Sequence, residues 1–205
     1  FDIMFTEPSA DAEQDARLKS AVEAQTNVTL AYHFEEASTG KSAPPSEGRP
    51  HFIVDASRYG LPVDTLNLVH GRLPVAPFEK LPVTYGAVNV VPDADSIIRR
   101  VPLFFAHDGR LYPGLAMQTV IAALGLKDDQ INIAPGKEVT LIDTTHGTLH
   151  IPIDEHGQYR VNFPGDISVF TPAFEYLDLF LAVQDQEMGA LLTAGVKDRI
   201  VFIAL

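Results

Sequence analysis

The sequence predicts an α/β fold: a mixed sheet with a parallel core, flanked by helices, with antiparallel hairpins inserted between. Three observations predict it. Residues 1–34 read strand, helix, strand, a βαβ unit whose crossover is right-handed when the strands lie parallel in one sheet. The stretch from Tyr85 to Gly125 reads strand, turn, strand, turn, helix. Farther on, Glu138 to Asp143 and Gly147 to Ile153 alternate in polarity around Thr144-Thr145-His146-Gly147, the pattern of a hairpin.

Each element has a local reason. Phe1 to Phe5 is a short apolar run broken by Thr6-Glu7-Pro8-Ser9. Asp11 with Gln14 three residues on resembles a capping box and predicts a helix over 11–25, with a thin apolar stripe at Leu18, Ala21 and Val22. Asn27 to Phe34 is apolar on both faces, as a central strand is. Residues 35–50 are rich in Gly, Pro, Ser and Glu and read as a loop. Pro62, Pro74, Pro77 and Pro82 interrupt the next segment, leaving room for short helices near 52–59 and 66–70. Val88, Val90 and Val91 form an apolar run, and Ile97 to Phe105 form another beyond the Pro92-Asp93-Ala94-Asp95-Ser96 turn. Asp108-Gly109 marks the next turn. Pro113 suits the first turn of a helix whose stripe is Met117, Val120, Ile121 and Leu124 and whose stop is Gly125. A strand at Gln158–Phe163 follows the hairpin. Thr171-Pro172 opens a helix containing Phe174, Leu177, Phe180 and Leu181, and a shorter helix covers 185–194. Arg199 to Leu205 is a continuous apolar run, the pattern of a fully covered parallel strand.

Composition excludes several classes of function. The chain has 205 residues, 15 Lys plus Arg and 27 Asp plus Glu, hence a net charge of −12. That charge repels nucleic acid and anionic lipid. With no cysteine there is no disulfide, no thiolate metal site and no cysteine nucleophile. No apolar run approaches the roughly 18 residues of a membrane helix. The chain begins and ends inside apolar runs, so it reads as a piece excised from a longer protein.

The candidate chemistry is sparse. Of the seven histidines, His146, His150 and His156 are the closest group, without the spacing of a metal-binding helix. Asp93 and Asp95, with Asp2 and Glu7, offer carboxylates, but Pro-Asp-Ala-Asp-Ser is also good turn chemistry. Arg99 and Arg100 are consecutive, so in a strand at most one points to the core, where Asp93 or Asp95 is its natural partner. No phosphate-binding loop, dinucleotide fingerprint or nucleophile elbow occurs. Neither a catalytic residue nor a metal or cofactor is expected.

The motifs nevertheless form an ordered set. Asp2-Ile3-Met4-Phe5-Thr6-Glu7-Pro8-Ser9, Asp15-Ala16-Arg17-Leu18 and Asn27-Val28-Thr29-Leu30 come first. Gly86-Ala87-Val88-Asn89-Val90-Val91-Pro92-Asp93-Ala94-Asp95 and Ile98-Arg99-Arg100-Val101-Pro102-Leu103 follow, then Pro113-Gly114-Leu115-Ala116. The set ends with Ile151-Pro152-Ile153-Asp154, Val161-Asn162-Phe163-Pro164-Gly165 and Arg199-Ile200-Val201-Phe202-Ile203. In kind and order these resemble the CHASE2 domain family, over nearly the whole chain. Departures are Ser96, Gly114 and Ala204, where the family has Gly, Ser and Gly. The family also has a strand and helix ahead of Phe1, so 1–205 reads as a single domain truncated at both ends.

The resemblance implies an extracytoplasmic, periplasmic or extracellular, sensory domain of a bacterial transmembrane receptor. The parent is then anchored by helices outside this chain and carries a cytoplasmic output, an adenylate or guanylate cyclase or a protein kinase such as a histidine kinase. Asp2, Pro8, Asn89, Pro92, Asp93, Asp95, Arg99 and Arg100 are motif positions and read as structural. The signal is an unidentified small molecule or ion. Its default place is the carboxyl ends of parallel strands, which nominates Glu7, Glu35 and Glu36 as liners. Two alternatives stand beside this reading. One is a ligand-free dimerisation or scaffold domain, a homodimer built on an apolar helix face at Phe174–Leu181. The other is a metal-dependent hydrolase using Asp2, Glu7 and a histidine.

Overall fold

The computed structural model describes residues 1–5, 7–36, 54–55, 68–72, 78, 81–107, 110–163, 165 and 174–204. They form two compact units: Phe1–Val161 with Ile203–Leu205, and Asn162–Phe202. The class is mixed α/β, as the sequence predicts.

The first unit opens with helix α1 (Ala12–Glu23). Asp11 caps it by accepting from the Glu13 N–H at 2.9 Å, and only Val22 is buried along it. The predicted capping box takes another form. Ser9 Oγ accepts the Asp11 N–H at 3.1 Å, and the Asp15 carboxylate accepts the Ser9 N–H at 2.9 Å.

Strand β1 (Thr29–Glu36) lies between β3 (Leu68–Arg72), antiparallel to it, and β4 (Thr84–Ala87), parallel to it. Leu30, Ala31, Tyr32 and Phe34 are buried, as a strand covered on both faces requires. On one face an aromatic core gathers Tyr32, Phe34, Phe78, Tyr85, Phe105 and Tyr112. Phe34 meets Tyr32 and Tyr112 edge-on, at centroid separations of 5.2 and 5.3 Å. The buried Tyr85 hydroxyl donates to the Phe78 carbonyl at 2.8 Å, so its burial leaves no polar group unmatched.

A second core is built from aliphatic side chains. Strands β8 (Ile131–Ala134), β9 (Glu138–Asp143) and β10 (Gly147–Pro152) form an antiparallel meander. Helix α2 (Leu115–Leu124) contributes Met117 and Ile121 to the same core as Ile131, Ile133, Val139 and Leu141. Gly125, at φ 62°, ends α2 in the left-handed conformation the sequence predicts. Three short pairings complete the unit. Strand β5 (Arg100–Pro102) pairs with β11 (Gln158–Arg160), and β7 (Arg110–Pro113) pairs with both β6 (Phe104–His107) and β2 (Val54–Asp55).

The second unit carries helices α3 (Tyr176–Ala182) and α4 (Gln186–Val196). The Asp185 side chain caps α4, accepting from Glu187 N at 2.8 Å and Met188 N at 3.0 Å. No residue of either helix is buried.

Several expectations need correction. Phe1–Phe5 and Arg199–Leu205 meet in parallel, but only through one bridge between Asp2 and Ala204, with Asp2 N–H donating to the Ile203 carbonyl at 2.8 Å. Ile200, Val201 and Phe202 are exposed, because apolar content marks what a strand can bury and does not supply a neighbour to pair with. The valine run is not a strand either: β4 ends at Ala87, and Val90 and Val91 are exposed. Among the described residues, parallel pairing is limited to β1–β4 and single bridges. Pro113 ends β7, and Gly114 is the N-cap of α2. The helix expected near 66–70 is replaced at its end by β3, which takes the free edge of β1. Of the helix expected at 52–59, Val54–Asp55 is strand, and the rest lies outside the described residues, as do 37–50 and 171–173.

Candidate functional site: the Gly86–Arg100 segment

Most of the motif positions cluster in one run of chain, Gly86 to Arg100. Gly86 sits in β4 beneath α2. A Cβ at this position would lie 2.4 Å from the Leu115 Cα and 2.9 Å from its nitrogen. Only glycine lets helix and strand approach so closely.

Beyond Ala87 the parallel ladder makes one more bond, from Val88 N–H to the Tyr32 carbonyl at 2.9 Å. Then the Asn89 side chain takes over from the backbone. Its Oδ1 accepts from Phe34 N–H at 2.7 Å, and its Nδ2 donates to the Phe34 carbonyl at 2.7 Å. The same Nδ2 lies 3.0 Å from His33 Nε2. One side-chain amide thereby saturates the backbone of β1 where the partner strand has ended.

Pro92 follows, exposed, and the chain turns. Asp93 N–H donates to the Ile97 carbonyl at 3.0 Å, and Ser96 N–H to the Asp93 carbonyl at 2.8 Å. Ser96 has φ 64°. These are the marks of a three-residue loop that ends in a left-handed residue, where glycine fits without strain. The Asp95 Oδ1 accepts from Ile97 N–H at 3.2 Å, fixing the turn from within.

The arginines close this loop from outside. Arg99 grips Asp95 with both terminal nitrogens, at 2.9 and 2.8 Å, and reaches Asp93 at 3.0 Å. Arg100 meets Asp93 at 3.4 Å and Asp154 at 3.9 Å. Asp154 in turn accepts from the His156 and Gln158 N–H groups, both at 2.9 Å. The Arg99 guanidinium, helped by the Ile97 N–H, holds the Asp95 carboxyl below its usual range, and Asp95 in turn raises Arg99. Neither arginine enters a core; both stand exposed, and both reach Asp93. Exposed pairs of this kind contribute little to stability. Their charges are already matched by three carboxylates, so the network orders a loop and does not offer a cation to a ligand.

The other predicted positions are dispersed. Asp2, Glu7 and Pro8 are exposed. Glu35 and Glu36 are the last residues of β1, and their side chains lie outside the described residues. The hairpin histidines find separate carboxylates: His146 Nδ1 bonds Asp143 Oδ2, and His150 Nδ1 meets Glu138 Oε1 at 3.2 Å. Among the described residues, no group of three His, Asp or Glu side chains is arranged to hold a metal ion. No described helix is long and apolar enough to cross a membrane.

Sequence reasoning missed the roles of Gly86, Asn89 and His33. The signal was present in part: a polar Asn in the middle of a valine run has to spend its amide on something. That its target is the Phe34 backbone depends on strand order, which local pattern does not carry.

Comparison with known proteins agrees with the motif order. No curated protein and no solved structure matches the chain. A family model described as the CHASE2 domain matches residues 1–205. Because that match takes in the Gly86 strand, the Asn89 amide and the Asp93–Arg99 loop in one alignment, the chain belongs to the CHASE2 domain family, a family of extracytoplasmic sensory domains.

Proposed function

We propose that this chain acts as one sensory domain of a bacterial transmembrane receptor, lying outside the cytoplasmic membrane and passing its state to a cytoplasmic output domain. The observation that carries the proposal is the CHASE2 match over residues 1–205. Adenylate or guanylate cyclase is the first choice of output, and a histidine or serine/threonine kinase the second. The signal works by unequal affinity for two conformations, since a ligand that binds both equally shifts nothing. A net charge of −12 favours a neutral or cationic small molecule or ion. Glu7, Glu35 and Glu36 remain the proposed liners.

Thermal unfolding against a panel of metabolites, inorganic cations and divalent metals, with a chelator control, tests this reading. A ligand at about 100 times its Kd adds about 2.7 kcal/mol to the native state, a clear rise in melting temperature. A selective rise that Glu7→Gln weakens supports the reading and the liner. A cooperative transition that nothing shifts, together with a mass that grows with concentration, would replace ligand sensing by assembly. The exposed Tyr176, Leu177 and Phe180 are the observation that favours that second reading.

A further inference from the structure

The contact between His33 and Asn89 constrains the charge of the histidine. Phe34 N–H can only donate, so the Asn89 atom that faces it at 2.7 Å is the carbonyl oxygen. The amide orientation is thereby fixed. The Asn89 atom 3.0 Å from His33 Nε2 is then the NH₂ nitrogen, which can only donate. His33 Nε2 therefore accepts, which only neutral imidazole with its proton on Nδ1 can do. Protonation would place an N–H against an NH₂. Asn89 could not relieve the conflict by flipping, because a flip would break both bonds to Phe34.

We propose that the His33–Asn89 contact is a proton-operated latch on the end of β1: neutral His33 holds Asn89 on the Phe34 backbone, and protonated His33 releases it. Released, Asn89 no longer bonds the Phe34 N–H and carbonyl, at the point where the backbone ladder with β4 has ended. Of the two residues, Asn89 lies within the segment that carries the family motif. It stands whichever ligand the domain senses.

Among the described residues, the strands and helix around His33 place few ionisable groups near it. By strand alternation His33 shares a face of the sheet with Ala31, which pairs with Gly86 beneath α2. Helix α2 carries no ionisable residue. The ionisable residue of β4 is Tyr85, committed to the Phe78 carbonyl. On β3 the register places Arg72 opposite His33 and His70 opposite Glu35. On the meander, His146 and His150 face the carboxylates of Asp143 and Glu138. A global stability curve would mix the response of several ionisable groups, so the readout has to be local.

The test is NMR on the intact chain between pH 8 and pH 5, following the His33 imidazole nitrogens and the hydrogen-exchange protection of the Phe34 amide, corrected for intrinsic rate. The expected result is a neutral His33 with its proton on Nδ1, and a loss of Phe34 protection of tenfold or more in step with His33 protonation. His33→Gln, which carries no titrating proton, should hold Phe34 protection constant over the same range. A proton on Nε2 in the neutral form, or Phe34 protection that stays flat while His33 titrates, would overturn the latch. The same acid loss in His33→Gln would also overturn it. Should His33→Gln fail to fold, the two wild-type readouts decide by themselves.

Discussion

The two units of this chain use apolar side chains in opposite ways. In Phe1–Val161 with Ile203–Leu205, periodic apolar positions are sealed: Leu30, Phe34, Leu111, Val139 and Leu141 have no accessible surface. In Asn162–Phe202 they stand in the open: Tyr176 is 81% exposed, Val183 87% and Leu191 64%. Both regions satisfy helix or strand periodicity. The difference shows that periodicity specifies the local element, whereas burial needs a second layer with matching shape. Stability is accordingly concentrated in the first unit. The second, with few buried contacts, belongs to the class of segments that open first.

The largest effect that separates the units comes from truncating one apolar side chain in each. Phe34→Ala removes a ring packed on Tyr32, Phe105 and Tyr112 and should cost about 3–5 kcal/mol in denaturant unfolding. Leu191→Ser should stay within about 0.5 kcal/mol of the parent. Equal costs would erase the distinction.

The glycines sharpen it. A Cβ at Gly86 would strike the Leu115 Cα at 2.4 Å, and one at Gly189 would strike the Ala182 carbonyl oxygen at 2.8 Å. Gly86→Ala should destabilise by about 1–3 kcal/mol or more, since backbone has to move within a packed core. Gly189→Ala should cost less, because a helical alanine gains back about 1 kcal/mol and the contact is with an exposed helix pair. Circular dichroism melts of the two variants compare them directly.

Much of the first unit was legible before the fold was seen. The hairpin at 138–152 and the Gly125 stop of α2 follow from alternation and from glycine's freedom at positive φ, both local properties. The failures share a cause. Arg199–Leu205 and Val88–Val91 are apolar enough for strands, but a strand exists only where a neighbour offers its backbone, and composition does not show the neighbour. The candidate site divides in the same way. The Asp93–Ser96 turn was readable from residue chemistry. The Asn89 amide, which reaches Phe34 across 55 positions of sequence, was not. Arg99 and Arg100 were assigned by strand alternation to opposite faces, but Arg99 precedes β5, so the rule did not apply to it.

Smaller effects probe the loop itself. Ser96 holds φ 64°, a conformation that costs an L-residue about 1–2 kcal/mol. Glycine carries a larger unfolded-state entropy, so Ser96→Gly should stabilise the first unit by about 1 kcal/mol or less. An unchanged or lowered melting temperature would mean that the turn is not held as described. The acid response is smaller still. Asp95 is lowered by Arg99, Glu138 by His150, and Asp143 first by the Thr145 N–H, with His146 adding to it. A carboxyl depressed in the folded state contributes stability that is present above its unfolded value, about 4, and lost as pH falls through the folded value. All three lie in the first unit. Acid below about pH 4 should therefore weaken that unit, and Asp143→Asn should flatten part of the loss in a pH series of unfolding midpoints.

The central claim is that the Gly86–Arg100 segment holds the end of β1 that runs past its pairing with β4, through the Asn89 amide, and that Asn162–Phe202 is a separate, weaker unit. Residue-resolved hydrogen exchange of the parent and of Asn89→Ala at neutral pH tests both parts at once. The account predicts fast exchange through α3 and α4 in both proteins, and in the variant a loss of protection centred on Phe34 and Val88 that leaves β9 unchanged. Full protection of Phe34 in Asn89→Ala, or protection in α3 and α4 equal to that of β9, would contradict it.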